Sequence, residues 1–566
     1  MKKAIVPFLV LPFFLFGCGK DKNVYASSKN TMYEYVLDGD EAVITGFNSK
    51  YKNQVDIIIP YSIDKHVVKR IEKEAFKGIN RIKNVDMSKS NVKEIGDSAF
   101  LSCKGLVDIK LPDTLEKIEN YAFSECNALE TMDLSNTTLT EVSSYLFSKC
   151  ESLTGVTYPS TVKIIGSNIY ESCPKITKID LSNITELEEI ADYGFYNLSG
   201  LTSITLPANV KKLGDYSFAE NKKVTSYNFF KTSIEEIGEG AFSKCSAVTR
   251  INLPDTVKKI GVKAMYYCFN LEKVDLSQTK LEVIPESCFE LCSKLADIKI
   301  PNVTKIDKNS FYLSGIKSIN IPEATEVIAD DAFRLCSDLI SFDVSKNNNN
   351  YIEWNGALYT ADKKILLFYP ASSSATDFTI SDKTERINAY TFANAKNLKT
   401  IDLSTSAFEE IEEYTFMNCV KLETVKMIAG TSTEGIKIIG NSAFLGCDSL
   451  AEFVGQRALT EIGESAFCEC KGLKTINLYG SNQLKKIGAN AFRDCSKLES
   501  FSFSVGVETI GRSAFLNCNG LKKYTEEDEE AIKTITFGGT QNKLDELIQN
   551  NETSCLGDYI DHIKCN

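Results

Sequence analysis

Histidine and tryptophan are nearly missing from this chain: His66, His562 and Trp354 are all it has of the two types in 566 residues. Two imidazoles leave little from which to build a zinc centre or a histidine-based catalytic dyad. An excess of basic charge is missing as well: 64 basic residues against 76 acidic ones leave a net charge of −12. Nucleic acid and anionic membrane surfaces are bound through basic stripes, so neither is expected as the main partner. The apolar run at the start of the chain, residues 4–17, has fourteen residues, too few to span a bilayer comfortably. The catalytic signatures G-x-S-x-G, G-x-x-x-x-G-K-[ST] and H-E-x-x-H do not occur. Paired carboxylates such as Glu235-Glu236, Glu409-Glu410 and Glu412-Glu413 fall in turns, where charge is solvated. The sequence is therefore read as non-enzymatic and without a cofactor or metal.

What the chain has in abundance is one sentence repeated. Residues 95–110, IGDSAFLSCKGLVDIK, show it: an Ile, an Ala-Phe four and five residues on, a Cys three after the Phe, then an L-x-x-I-x-L stretch. The aromatic anchor recurs at Phe76, Phe100, Phe123, Phe147, Tyr170, Phe195, Phe218, Phe242, Met265, Phe289, Phe311, Phe333, Phe392, Phe416, Phe444, Phe467, Phe492 and Phe515. A period of 22–25 residues with rare breaks is the signature of a solenoid of about 18 units. Each L-x-x-I-x-L is expected to be a strand, and stacking the units makes a long parallel sheet. Large apolar side chains contribute on the order of 1.5–3 kcal/mol each when buried, and no single unit could cover its own. At about 4.8 Å per rung the array spans roughly 85 Å. The turn after the strand has two forms that largely alternate: Leu-Pro (Leu111-Pro112, Leu206-Pro207, Leu253-Pro254) and the longer Asp-Leu-Ser (residues 133–135, 180–182, 275–277). A Gly often follows the Ile (Gly96, Gly166, Gly238), for a bend with positive φ or a close backbone approach.

This text resembles the leucine-rich repeats of the BspA-like, or Treponema-type, family over residues 31–545. The resemblance implies a right-handed superhelical solenoid with a parallel β-sheet on its concave face. It also implies display outside the cytoplasm and, in several members, adhesion to host proteins or other cells. Residues 1–17 have the basic and apolar regions of an export signal, and Leu15-Phe16-Gly17-Cys18 resembles a bacterial lipobox that would leave Cys18 lipidated. The alternative is ordinary cleavage and secretion. The expected layout is a signal (1–17), a polar tether (18–30), an N-terminal β cap (31–66), repeats (67–345), a hairpin-like interruption (346–376), repeats (377–520), and a C-terminal cap and tail (521–566).

Thirteen of the eighteen cysteines stand three residues after the anchor, in a column also occupied by Ile79, Leu198, Asn221, Ser314 and Ala395. A ladder of reduced, buried thiols is the favoured reading over cross-links. Cys555 and Cys565, in the tail, are the candidate disulfide. Candidate binding residues lie at the outward positions of the sheet, Asp108, Lys110, Asp133, Lys178, Asp180, Arg250, Asn252, Lys273 and Asp275. A second group lies in the interruption, Tyr351, Trp354 and Tyr359, read either as a plain hairpin decorating the rod or as an aromatic contact platform. The function expected is a monomeric cell-surface binding or adhesion protein for a host or microbial surface or matrix protein or a glycan. A carbohydrate-binding surface lipoprotein and a passive spacer are the alternatives.

Overall fold

The computed structural model describes residues 32–51, 53–404, 408–427, 435–522, 535–550 and 563–565. Each unit makes one coil with three sides. The coil of Phe100 begins at the strand Glu94–Ile95, turns through the anchor segment, runs along Asp108–Lys110 and returns at Lys117–Ile118. Successive coils stack in parallel register, Ile95 beside Ile118 and Val85 beside Ile109. The three-residue strands form the first sheet and the two-residue strands the second. About 19 coils stack in this way.

The interior is a column of rings. Phe76, Phe100 and Phe123 stack with centroids 5.1 and 5.4 Å apart, and Phe289, Phe311 and Phe333 at 5.4 and 5.3 Å. On the third side the backbones pair directly, the Phe100 N–H donating to Ala122 O at 2.9 Å. Closing this side requires left-handed residues two before and two after the anchor, as at Ser98 (φ 57°) and Ser102 (φ 59°). The Gly that follows the Ile has no such φ. It is small because a Cβ on Gly96 would stand 2.7 Å from Lys73 N of the previous coil.

The cysteine column has a specific job. All thirteen side chains are buried, and each Sγ lies 3.0–3.4 Å from the carbonyl oxygen of the preceding coil's anchor. Cysteine is a small hydrophobe with a weak S–H donor, and both properties are used. Where Asn221 replaces it, Nδ2 donates to the same type of carbonyl, Phe195 O, at 2.8 Å. Burial pushes the thiols of Cys103, Cys245 and Cys292 up to about 12, so they stay protonated and able to donate.

Both ends are covered. Tyr33–Asp38 pairs antiparallel with Glu41–Phe47, which joins the second sheet beside His66–Ile71. Tyr33 and Phe47 set their rings against Phe76. At the other end Ile535–Phe537 extends the first sheet from Ser500–Phe503, and Ile563–Cys565 adds to it. The helix Gln541–Asn550 buries Leu544 and Leu547.

The interruption is not a decoration. Tyr351–Trp354 and Ala357–Thr360 form a hairpin through Asn355-Gly356, both at positive φ as a tight turn requires. Ile365–Phe368 pairs antiparallel with the hairpin and parallel with Arg386–Ile387. Residues of these strands divide between two interiors: Leu358, Leu367 and Phe368 pack with the coils before, Ala357, Tyr359 and Leu366 with the coils after. The insertion is a wall inside the rod. The flanking coils then meet through side chains: Asp330 with Arg386 (3.5 Å) and Asn388 (3.0 Å), Asp338 with Lys396 (2.9 Å), and the Arg334 guanidinium 4.3 Å over the Tyr390 ring.

Candidate binding surface

In the three-residue strands of the first sheet the middle residue is buried, or partly buried as at Val156, Ile204 and Val425, and the outer two face outward, because side chains alternate along a strand. Asp108 and Lys110 flank buried Ile109, and Lys178 and Asp180 flank Ile179. The Asp of the Asp-Leu-Ser turn has a local duty. Asp133, Asp180 and Asp275 accept the N–H of Ser135, Ser182 and Ser277 at 2.9–3.0 Å. Hydrogen bonds from Ser182 and Ser277 hold the carboxyls of Asp180 and Asp275 below the usual carboxylate range. These aspartates shape the turn, and the second oxygen of Asp275 also faces Lys299 at 3.7 Å.

The candidates do not form one cluster. Asp108 and Lys110 sit beside Asn84–Asp86, Asp133 beside Thr157, and Lys178 and Asp180 beside Ser203–Thr205. Arg250, Asn252, Lys273 and Asp275 do come together, in a four-strand run from Ser226–Asn228 through Arg250–Asn252 and Lys273–Asp275 to Asp297–Lys299. Lys273 pairs with Asp297 (2.5 Å) and Asp275 with Lys299 (3.7 Å). Lys110, Lys178 and Arg250 form no ion pair among the described residues.

The second sheet behaves differently. Its outward row reads Glu189, Lys212, Glu236, Lys259 in register. Lys212 bonds Glu189 at 2.8 Å and Lys117 bonds Glu94 at 3.3 Å. The row beside it pairs Lys93 with Glu116 and Lys211 with Glu188. Opposite charges at neighbouring rungs favour this stacking, and Glu236 and Lys259 form no ion pair among the described residues.

The aromatic platform expected in the interruption is corrected. Tyr359 is fully buried and Tyr351 is 8% exposed, because these strands face an interior on each side. Tyr351 Oη accepts the Ile328 N–H at 2.8 Å and donates to Glu326 O at 3.3 Å, closing the second sheet where its next rung is displaced. Trp354 is half-buried, edge-on to Tyr359, with Lys363 Nζ 5.1 Å from its ring. Cys18 and Cys555 lie outside the described residues. Cys565 is a partly exposed thiol whose neighbour at 3.5 Å is Gln541 Oε1.

One exposed ring escaped the reading of the sequence. Phe230 is 58% exposed and occupies the place of Ser135, Ser182 and Ser277 in its own turn. It borders a cavity of about 300 Å³ that also takes in Asn252, Pro254, Asp255, Asp275 and Gln278. The signal was an aromatic where other units carry Ser.

Among the described residues no group of three or more His, Cys, Asp or Glu side chains could hold a metal ion, and no helix is long and apolar enough to cross a membrane. Several crystal structures are similar. A leucine-rich cell surface protein from Faecalibacterium prausnitzii A2-165 is 18% identical over 94% of this chain and 98% of its own, with a TM-score of 0.42. A leucine-rich repeat protein from Bacteroides ovatus is 22% identical over 90% and 99%, with a TM-score of 0.34. The leucine-rich repeat protein of T. pallidum is 22% identical over 44% and 91%, with a TM-score of 0.27. No curated protein matches. The BspA type leucine-rich repeat region matches six times, over residues 48–177, 134–235, 165–280, 221–340, 367–434 and 428–544. The stacked coils with their ring column are thus the family's repeat, and the chain belongs to the BspA-type leucine-rich repeat family.

Proposed function

We propose that this protein is an exported, surface-displayed scaffold that binds a macromolecule through the outward residues of its first sheet, centred on the run from Ser226–Asn228 to Asp297–Lys299. The observation that carries this is the contrast in side-chain commitment. Second-sheet cations such as Lys211 and Lys212 pair with Glu188 and Glu189, whereas the first sheet leaves Arg250 and Lys178 without ion pairs among the described residues and presents Ser203, Thr205 and Thr225 to solvent. A rigid array supplies a long pre-organised surface, which lowers the ordering cost of association. Residues 1–17 would direct export, and Cys18 would carry the lipid that holds the array at the envelope. The activity proposed is binding, with no catalytic step assigned to this surface.

The test compares two charge-matched variants on panels of matrix proteins and envelope glycans. Arg250→Ala with Lys273→Ala should lose binding, and Lys211→Ala with Lys258→Ala should keep it. Equal binding by both variants would remove the first sheet from the reading. Mass spectrometry of the native N-terminus should find diacylglycerol on Cys18, and an unmodified terminus beyond residue 18 would turn the anchor into simple secretion.

A further inference from the structure

The rung of Arg250 takes the short Leu253-Pro254 turn, while the rungs on either side take the longer form, Asn228-Phe229-Phe230 before it and Asp275-Leu276-Ser277 after it. A short turn between two long ones leaves a notch at the sheet edge, and this notch is the cavity of about 300 Å³. Leu-Pro turns recur along the array, but here the long turn before it carries a phenylalanine. Phe230 forms one wall with 58% of its surface open to solvent. Lys231 Nζ lies 5.6 Å over the ring and helps to hold it in place.

The other walls are polar and incompletely used. Asn252 gives one amide hydrogen to Asn228 Oδ1, its backbone carbonyl accepts the Phe229 N–H, and its side-chain Oδ1 is left to accept from a ligand. Asp275 commits Oδ1 to Ser277 and sets Oδ2 3.7 Å from the Lys299 ammonium, a loose pair that a sugar hydroxyl can share. Asp255 has no ion pair among the described residues, and the Gln278 amide makes one long contact, 3.4 Å, to Ser277 Oγ. An open aromatic face beside carboxylate and amide oxygens suits a ring that is apolar on one face and rimmed with hydroxyl donors.

We infer that this notch is a saccharide-binding subsite, taking one neutral pyranose unit of a glycan chain, stacked on Phe230 with its hydroxyls donating to Asp255, Asp275 and Asn252. The volume matches the lower end of small-molecule sites. Two carboxylates in the lining disfavour uronic and sialic acids, so the specificity is for uncharged sugars. The notch opens at the C-terminal end of the strand Arg250–Asn252, so a longer chain can continue across the outward face of the first sheet beside Arg250. This deepens the proposed function by naming the ligand class.

The experiment is binding of residues 31–566 to an array of neutral gluco-, galacto- and manno-oligosaccharides, with sialylated and uronate-containing glycans beside them. Saturation-transfer NMR then follows the best neutral hexasaccharide against three variants. Wild type should bind a neutral series and none of the acidic one. Phe230→Ala should weaken binding at least tenfold, Asp255→Asn severalfold, and Phe230→Trp should restore it by supplying a larger face. Phe230 is exposed, so thermal melting of the variants should match wild type. No neutral oligosaccharide bound, preference for acidic glycans, or unchanged binding by Phe230→Ala would each overturn the subsite. A matrix protein held equally by wild type and Phe230→Ala, with no glycan bound, would overturn the saccharide inference while leaving the scaffold reading intact.

Discussion

The two sheets are drawn from the same coils, one strand each per turn, yet they differ in continuity. The second sheet runs unbroken through six strands from Glu141–Val142 to Lys259–Ile260 and through five from Glu410–Ile411 to Thr509–Ile510. The first is cut into runs of two to five strands. Of its six breaks, four follow Lys110, Thr157, Thr205 and Lys299, each just before a turn containing proline at 112, 159, 207 and 301, and two follow Val344 and Lys426, while the strand before Pro322 keeps its neighbour. Proline supplies no N–H to the next rung, and the shorter turn draws the strand end away from its longer neighbour. The strand before Pro254 keeps its neighbour through Arg250 and Ile251 but not Asn252, and there the notch opens. Continuity on one face and variation on the other is how a uniform repeat acquires a local site.

Both sheets rest on one interior, so the largest expected effect breaks them together. Burial lifts Cys103, Cys173, Cys245 and Cys292 from an ordinary value near 9 to about 12. The folded state therefore favours the neutral thiol. Its contribution is whole below pH 9 and is lost as pH rises from 9 towards 12, while the unfolded chain ionises freely. Each thiol accounts for about 1.4 kcal/mol per pH unit in that window, and many act in concert. Urea midpoints should be nearly flat from pH 6 to 8 and fall steeply above 9. A midpoint still level at pH 10.5 would show that the column is not buried as described. Next in size is the ring column: Phe289→Ala removes a fully buried ring stacked on Phe311 and should cost about 3–5 kcal/mol, read in the same titration.

The wall in the rod gives a smaller and more local effect. Tyr351→Phe leaves the ring in place but deprives the Ile328 N–H of its acceptor. A buried donor without a partner costs roughly 1–3 kcal/mol. Amide exchange should speed up at Ile328 while the second sheet from Glu141–Val142 to Lys259–Ile260 stays protected. Protection unchanged at Ile328 would mean that another group takes the bond.

Much of this was legible in the sequence, for a physical reason. A ring stacked on its neighbours cannot be replaced by a polar residue, so the anchors keep their type and betray the period. Alternating Leu-Pro and Asp-Leu-Ser turns could be read in the same way. The interruption was harder. Ala357, Leu358 and Tyr359 form a continuous apolar run, which marks a strand covered on both faces, but aromatic residues next to a turn also fit an exposed platform. The donor role of the thiols was hidden because a small buried residue explains most of that column; Asn221 was the exception that pointed to a hydrogen bond. Phe230 was hidden in a Phe-Phe pair, where only alignment with the Ser of sister turns separates the buried ring from the open one.

The contrast between the sheets is sharpened by two single substitutions with small effects of opposite kind. Lys212→Ala removes a half-exposed ammonium bonded to Glu189. It should cost about 0.2–1 kcal/mol, and the cost should vanish in 0.5 M salt, since screening at that strength reaches into such pairs. Binding should be unaffected. Arg250→Ala removes a guanidinium with no ion pair among the described residues, so stability should move by no more than about 0.5 kcal/mol, at low salt and high salt alike. Its effect should appear in partner binding alone, because an uncommitted charge on a rigid surface has its work outside the fold. If Arg250→Ala destabilised the array and Lys212→Ala abolished binding, the two faces would exchange roles.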